Sequence, residues 1–104
     1  MQMYSTVYVT AKDADEARNI ARALVEERLV ACVNFWPITS AFRWEGHMDE
    51  CSEVAMLCKT RTALVPDVIK RVKALHSYEV PCITSWKIDT GSESYLEWVS
   101  KETR

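Results

Sequence analysis

From Leu29 to Thr60 the chain reads as β, alternating with a period of two at 40–44 and 53–59, and on either side of that stretch it repeats at helical spacing. That alternation constrains the fold more than any other feature, because a period of two lines the faces of a sheet and a period near 3.6 lines one stripe of a helix. Before the stretch, Asp13 and Glu16 are spaced as a capping box. Ala17, Ile20, Ala21, Leu24 and Val25 then fall on one apolar stripe opposite Arg18, Asn19, Glu26 and Glu27. After it, Val65, Val68, Ile69, Val72 and Leu75 form a second stripe. This second helix is capped by Thr62 or starts near Pro66, which fits only the first turn. It must end before HSYEVP, since the residue ahead of Pro81 is pushed towards extended backbone.

Within the period-two stretch, LVACVNFW enters a strand that Pro37 interrupts, which requires a bulge or an edge position. Ser40 to Trp44 alternates, with Phe42 and Trp44 on one side. EGHMD supplies a turn centred near Gly46. Glu53 to Lys59 returns with Val54, Met56 and Cys58 on one face and Ala55 and Leu57 on the other. Two arms around one short turn make an extended β-hairpin. Tyr4 to Thr10 and Cys82 to Ile88 add two further strands. DTGS then provides a turn and Ser92 as the cap of a short last helix carrying Tyr95, Leu96, Trp98 and Val99.

The order β-α-β-β-α-β with a C-terminal helix predicts an α+β, ferredoxin-like split sandwich, in which both main helices cover one face of an antiparallel sheet. With 104 residues and 12.0 kDa, the whole chain, 1–104, reads as one domain. A folded monomer of this mass exposes about 6,000 Å² and buries roughly two-thirds of its extended-chain surface, so the core needs no disulfide or metal. The second sheet face keeps aromatic residues such as Phe42 and Trp44, and the hairpin leaves open edges. Association covers both at once, which predicts a closed homo-oligomer with Phe42, Trp44, Trp86 and Trp98 in its interface.

Composition removes several functions. Thirteen Lys and Arg against fifteen Asp and Glu leave a net charge of −2, with no basic footprint for nucleic acid or an anionic membrane. No apolar run approaches a membrane span, and MQMYSTVYVT lacks a basic segment followed by an apolar one, which predicts a cytoplasmic protein. The two glycines, Gly46 and Gly91, are too few for a P-loop or dinucleotide fingerprint. TAKDAD is not the glycine-rich phosphate cradle of an acylphosphatase, and EVAMLCK lacks the stacking aromatics of an RNA-recognition strand. Cys32, Cys51, Cys58 and Cys82 show no C-x-x-C spacing and read as small apolar fillers in a reducing compartment. Cys51 and Cys58, seven apart, would face opposite sides of one regular strand.

Four segments in register carry a resemblance: ARALVEERLVACVNFWPITSAFRWEG, SEVAMLCKT, HSYEVPCI and GSESYLEWV. Together they resemble the CutA divalent-cation-tolerance family over nearly the whole chain. The most specific pieces are the helix-to-strand junction ending in A-C-V-N, the W-E-G turn at Trp44 to Gly46, and H-x-Y-E-V-P at His76 to Pro81. The resemblance implies a cytoplasmic homotrimer of ferredoxin-like protomers linked to copper and other divalent metals, without enzymatic activity. It also implies copper ligands at the end of the first strand and at two adjacent positions before the proline-containing strand. Here those positions hold Val9, Leu75 and His76, so one ligating side chain of three survives.

His76 is therefore the candidate metal ligand, with Glu79 three residues on as its partner; the competing role for His76 is a cap at the helix C-terminus. HMDEC, from His47 to Cys51, gathers imidazole, thioether, carboxylates and thiol around a turn, or is an exposed hairpin tip. Lys59, Asn34, Tyr78 and Glu79 are polar groups placed to line a ligand cleft, or Lys59 and Glu79 pair across a subunit contact. Trp44, Trp86 and Trp98 form an aromatic pocket or supply interface area. The functional expectation is a non-enzymatic, trimeric copper or divalent-cation tolerance protein. The alternative is a small-molecule-sensing trimer, similar in architecture to PII signal proteins, with ligand clefts between subunits.

Overall fold

The computed structural model describes residues 3–104. Strand β1 (Tyr4–Ala11) leads into helix α1 (Ala14–Glu26), and strands β2 (Cys32–Trp44) and β3 (His47–Arg61) form the hairpin. A single 3-10 turn, Thr62–Leu64, precedes helix α2 (Val65–Leu75), followed by strand β4 (Ile83–Lys87) and helix α3 (Glu93–Glu102). The sheet runs β2-β3-β1-β4, with every neighbouring pair antiparallel. One face packs Val7, Val9, Met56 and Cys58 against Ile20, Leu24, Val68 and Val72 of α1 and α2. The split-sandwich expectation holds.

Glu45 and Gly46 both have positive φ, 49° and 83°, so the hairpin closes in a two-residue turn whose twist matches that of its strands. Register is unbroken from Trp44↔His47 to Cys32↔Lys59. Pro37, opposite Val54, therefore causes no bulge; β2 is an edge strand, where a missing N–H is tolerated. β1 ends at Ala11, paired with Val54. Beyond that pair the two arms, 38–44 and 47–53, continue as a two-stranded ribbon. The molecule is consequently long, 44 × 25 × 22 Å, with a radius of gyration of 14.2 Å against about 13 Å for a chain of this length. It exposes 6542 Å², somewhat above the mass-based expectation. A two-stranded ribbon on its own is at best marginal in water.

Several local expectations change. His47–Arg61 is one continuous strand, so HMDEC is extended and its side chains alternate between faces instead of curling round a turn. Val25 lies at the edge of the α1 stripe and is exposed. The Thr62 hydroxyl bonds that of Ser5 at 2.8 Å, not the backbone of α2. Ser92 occupies the N-cap position of α3, as expected, but its hydroxyl makes no capping bond and meets that of Ser94 at 3.2 Å. Arg28, at φ 59°, sends its guanidinium to the carbonyls of Lys101 and Glu102 and closes the C-terminal end of α3. Tyr4 and Arg61, which point away from the core, bond Ser100 and Thr103. Those contacts place α3 over one end of the sheet face that α1 and α2 leave open.

Candidate functional site

Two regions hold the chemistry, and residues 76–82 join them. The first lies between α1, α2 and the end of β1. The His76 side chain is fully buried, and its backbone N–H closes α2 on the Val72 carbonyl. Nε2–H donates to the Thr10 carbonyl at 2.7 Å, while Nδ1 accepts the Tyr78 N–H at 3.1 Å. Both ring nitrogens are thus spent, in the tautomer with hydrogen on Nε2. A metal could reach this ring only by displacing one of the two bonds. That geometry speaks against His76 as a ligand and for a structural role at the end of α2.

Glu16 completes this hub. Asp13 Oδ1 accepts the Glu16 N–H at 2.8 Å, which is half of a capping box. The Glu16 carboxylate does not return to Asp13. It accepts the N–H of Lys12 at 3.0 Å and of Ser77 at 2.8 Å, and lies 4.0 Å from His76 Nδ1. Burial pushes the carboxyl up, but the Lys12 and Ser77 hydrogen bonds outweigh it and hold Glu16 below its ordinary range.

The second region is a groove of about 730 Å³ on the sheet face opposite α1 and α2, away from the end that α3 covers. Tyr8, Phe42, Trp44 and Tyr78 form its aromatic walls, and Asp49, Glu53 and Glu79 contribute carboxylates. Tyr78 donates its hydroxyl to Glu53 Oε2 at 2.8 Å. Burial first, and the Glu53 carboxylate next, push this phenol well above its usual range. Burial and the charges of Glu53 and Asp49 likewise keep the Cys51 group a thiol.

The four residues expected in one cleft separate into two places. Lys59 Nζ bonds Asn34 Oδ1 near α3, whereas Tyr78 and Glu79 line the groove. Glu53 and Lys59 share a face of β3 but are six positions apart, which is about 20 Å. Lys59 and Glu79 are therefore not a pair within one chain. Phe42, Trp44 and Trp86 do share the helix-free face, each 40% exposed or more. Trp86 stacks near Tyr8, however, with ring centroids 6.3 Å apart, and Trp98 sits on α3 beside Tyr95. They form no common pocket with Trp44. Val9 faces the core and Leu75 packs against it. Among the described residues no three His, Cys, Asp or Glu side chains converge as a metal would require.

The sequence pattern places Glu16 as a cap and Glu53 at the start of a strand. The available signal for Glu53 was its register: an acid in line with Ala55 and Leu57 on a face otherwise turning apolar.

A ferredoxin-like sandwich with an overlong hairpin and an aromatic groove on its open face defines a class of small α+β protein. Within it, residues 5–102 match the family of the CutA1 divalent ion tolerance protein. The chain belongs to that family, and so to the proteins of divalent-cation tolerance. It is 46% identical over 102 residues to the divalent-cation tolerance protein CutA of Thermus thermophilus, covering 97% of this chain and 99% of that one. It is 42% identical over 99 residues to that of Archaeoglobus fulgidus, covering 95% and 97%. The solved structure of the Archaeoglobus protein, described there as periplasmic, superposes with a TM-score of 0.95 over 96% of this chain and 98% of its own. Human protein CutA is 43% identical over 100 residues, 95% of this chain but 56% of the human protein.

Proposed function

We propose that this chain is a cytoplasmic homotrimer that confers tolerance to copper or another divalent cation without catalysing a reaction, the cation being held by donors from more than one copy. The observation that carries the reading is the family match over residues 5–102. Assembly is supported by the hairpin arms that extend beyond β1 and by the exposed Phe42, Trp44 and Trp86 on the open face. Shared ligation is supported by His76, whose nitrogens are both engaged, and by the lack of a three-donor cluster among the described residues. Four free cysteines fit a reducing compartment.

Native mass spectrometry of reduced, metal-free protein, followed by one equivalent of copper per chain, tests the proposal. The expected result is a trimer that takes up copper and keeps it in the His76→Ala variant. A trimer that ignores copper overturns the metal reading. Trp44→Asp places a charge where the aromatic face is to be covered, so it should reduce the assembly to smaller species; an unchanged mass overturns the assembly reading.

A further inference from the structure

Cys32 of β2 stands directly opposite Lys59 of β3, so their side chains rise from the same face of the sheet. Asn34, two residues along β2, shares that face. Its Oδ1 accepts a hydrogen bond from Lys59 Nζ and lies 3.9 Å from Cys32 Sγ. A thiol and an amine thus converge on one oxygen. α3 lays Tyr95 beside Cys32, and the bonds of Ser100 to Tyr4 and of Thr103 to Arg61 hold that helix over this end of the sheet. The pair is roofed by its own chain, at the far end of the hairpin from the tip pair Trp44 and His47. Neither group has another reaction partner nearby. Cys58 flanks Lys59 but points into the core, Cys51 lies out on the ribbon opposite Ser40, and Cys82 lines the groove. Among the described residues Lys59 forms no ion pair, so no carboxylate holds its proton.

We propose that Cys32 and Lys59 are a modification site, at which hydrogen peroxide joins the two side chains through a reversible sulfur–nitrogen bond. This goes beyond the metal-tolerance reading. It needs no open groove, because the bond forms within one chain and the oxidant is little larger than water. In the first step peroxide transfers an oxygen to Sγ; the thiol becomes a sulfenic acid, sulfur gives up two electrons and the remainder of the peroxide leaves as water. In the second step Lys59 Nζ loses a proton to solvent and attacks Sγ. The S–O bond breaks, and the hydroxyl takes a further nitrogen proton and leaves as water. The product is a sulfenamide, two hydrogens lighter than the starting pair. A thiol reductant attacks Sγ and releases the amine. The link pins edge strand β2 to β3 beneath α3.

The test is peptide mapping by mass spectrometry of the native, metal-free protein, treated with hydrogen peroxide in mildly alkaline buffer with EDTA. A protease that cuts after glutamate separates Cys32 from Lys59, since Glu45, Glu50 and Glu53 lie between them. The expected product is a linked pair of peptides two hydrogens below their summed mass, with fragment ions placing the bond on Cys32 and Lys59, and it disappears with dithiothreitol. The pair should persist in Cys58→Ala and be lost in Lys59→Met, where dimedone should instead trap the Cys32 sulfenic acid. A wild-type digest in which Cys32 carries only oxygen adducts overturns the proposal. Loss of the link in Cys58→Ala overturns it too, since the bond is then a disulfide, as does a link that forms only in urea. The wild-type and Cys58→Ala maps decide the matter even if Lys59→Met fails to fold. No copper enters the experiment, so its outcome is independent of the metal test.

Discussion

Replacing His76 with phenylalanine separates the two hydrogen bonds of the ring from its bulk. The ring is wholly buried, donates to the Thr10 carbonyl at 2.7 Å and accepts the Tyr78 N–H at 3.1 Å. Phenylalanine fills the same space and makes neither bond. Each buried partner left unpaired costs about 1–3 kcal/mol, so the variant should lose about 2–6 kcal/mol. That is a large share of the roughly 5–15 kcal/mol that holds a domain of this size. Urea unfolding followed by far-ultraviolet circular dichroism at pH 7, at one protein concentration, reads the change. With a urea dependence of about 2 kcal/mol per molar, the middle of the usual range, the midpoint should fall by about 1–3 M. His76→Gln, which keeps an N–H for Thr10, should recover part of the loss. A phenylalanine variant within about 0.5 kcal/mol of the wild type would refute the claim that the ring's nitrogens hold residues 76–78 in place. A loss of stability in the glutamine variant equal to that in the phenylalanine variant would show that the Thr10 bond contributes nothing.

Two further predictions concern pH. Glu16 is held below its ordinary range, so its contribution to stability is full above about pH 4.5 and is lost as pH falls through the folded value. Glu16→Gln should therefore flatten the acid limb of a pH–stability profile, and an unchanged limb would contradict the assignment. Burial first, and the neighbouring Cys32 to a lesser degree, raise the Cys58 thiol to about 12 against the pull of Lys59. The folded state thus holds its proton while the unfolded chain releases it above about pH 8.5. Stability falls from that pH up to about 12, and Cys58→Ala should be less sensitive over this window. Iodoacetamide at pH 8 should spare Cys58 in the native protein and modify it in urea, as peptide mass spectrometry would show.

The tip of the hairpin and the ends of the helices show where local reading reached its limit. HMDEC contains a glycine-preceded, polar run that suits a turn, yet the turn is complete in Glu45 and Gly46 because both adopt positive φ. Pairing with β2 then carries the next residues into strand. Ser92 and Thr62 have the chemistry of caps. Whether a hydroxyl turns to the helix or to another partner depends on what lies beside it, Ser94 in one case and Ser5 in the other. Lys59 and Glu79 looked alike as polar groups near strand ends, but the sheet sets them at different ends of one face.

The amino-acid order by itself determined the elements, their sequence and the faces they bury. Periodicity is a local property, and the stripes of α1 and α2 and the alternation of β2 and β3 read the same in any environment. Family resemblance was equally legible, carried by segments in register from one end of the chain to the other. Only tertiary structure decided what the polar residues do. His76 became a two-bond tie because the end of β1 delivers the Thr10 carbonyl to its ring, 66 residues away in the chain. Glu53 became a buried hydrogen-bond acceptor because Tyr78 reaches it from a segment 25 residues away. Hydrogen bonding and ion pairing depend on distances of about 3 Å between residues far apart in sequence, and no pattern along the chain encodes those distances.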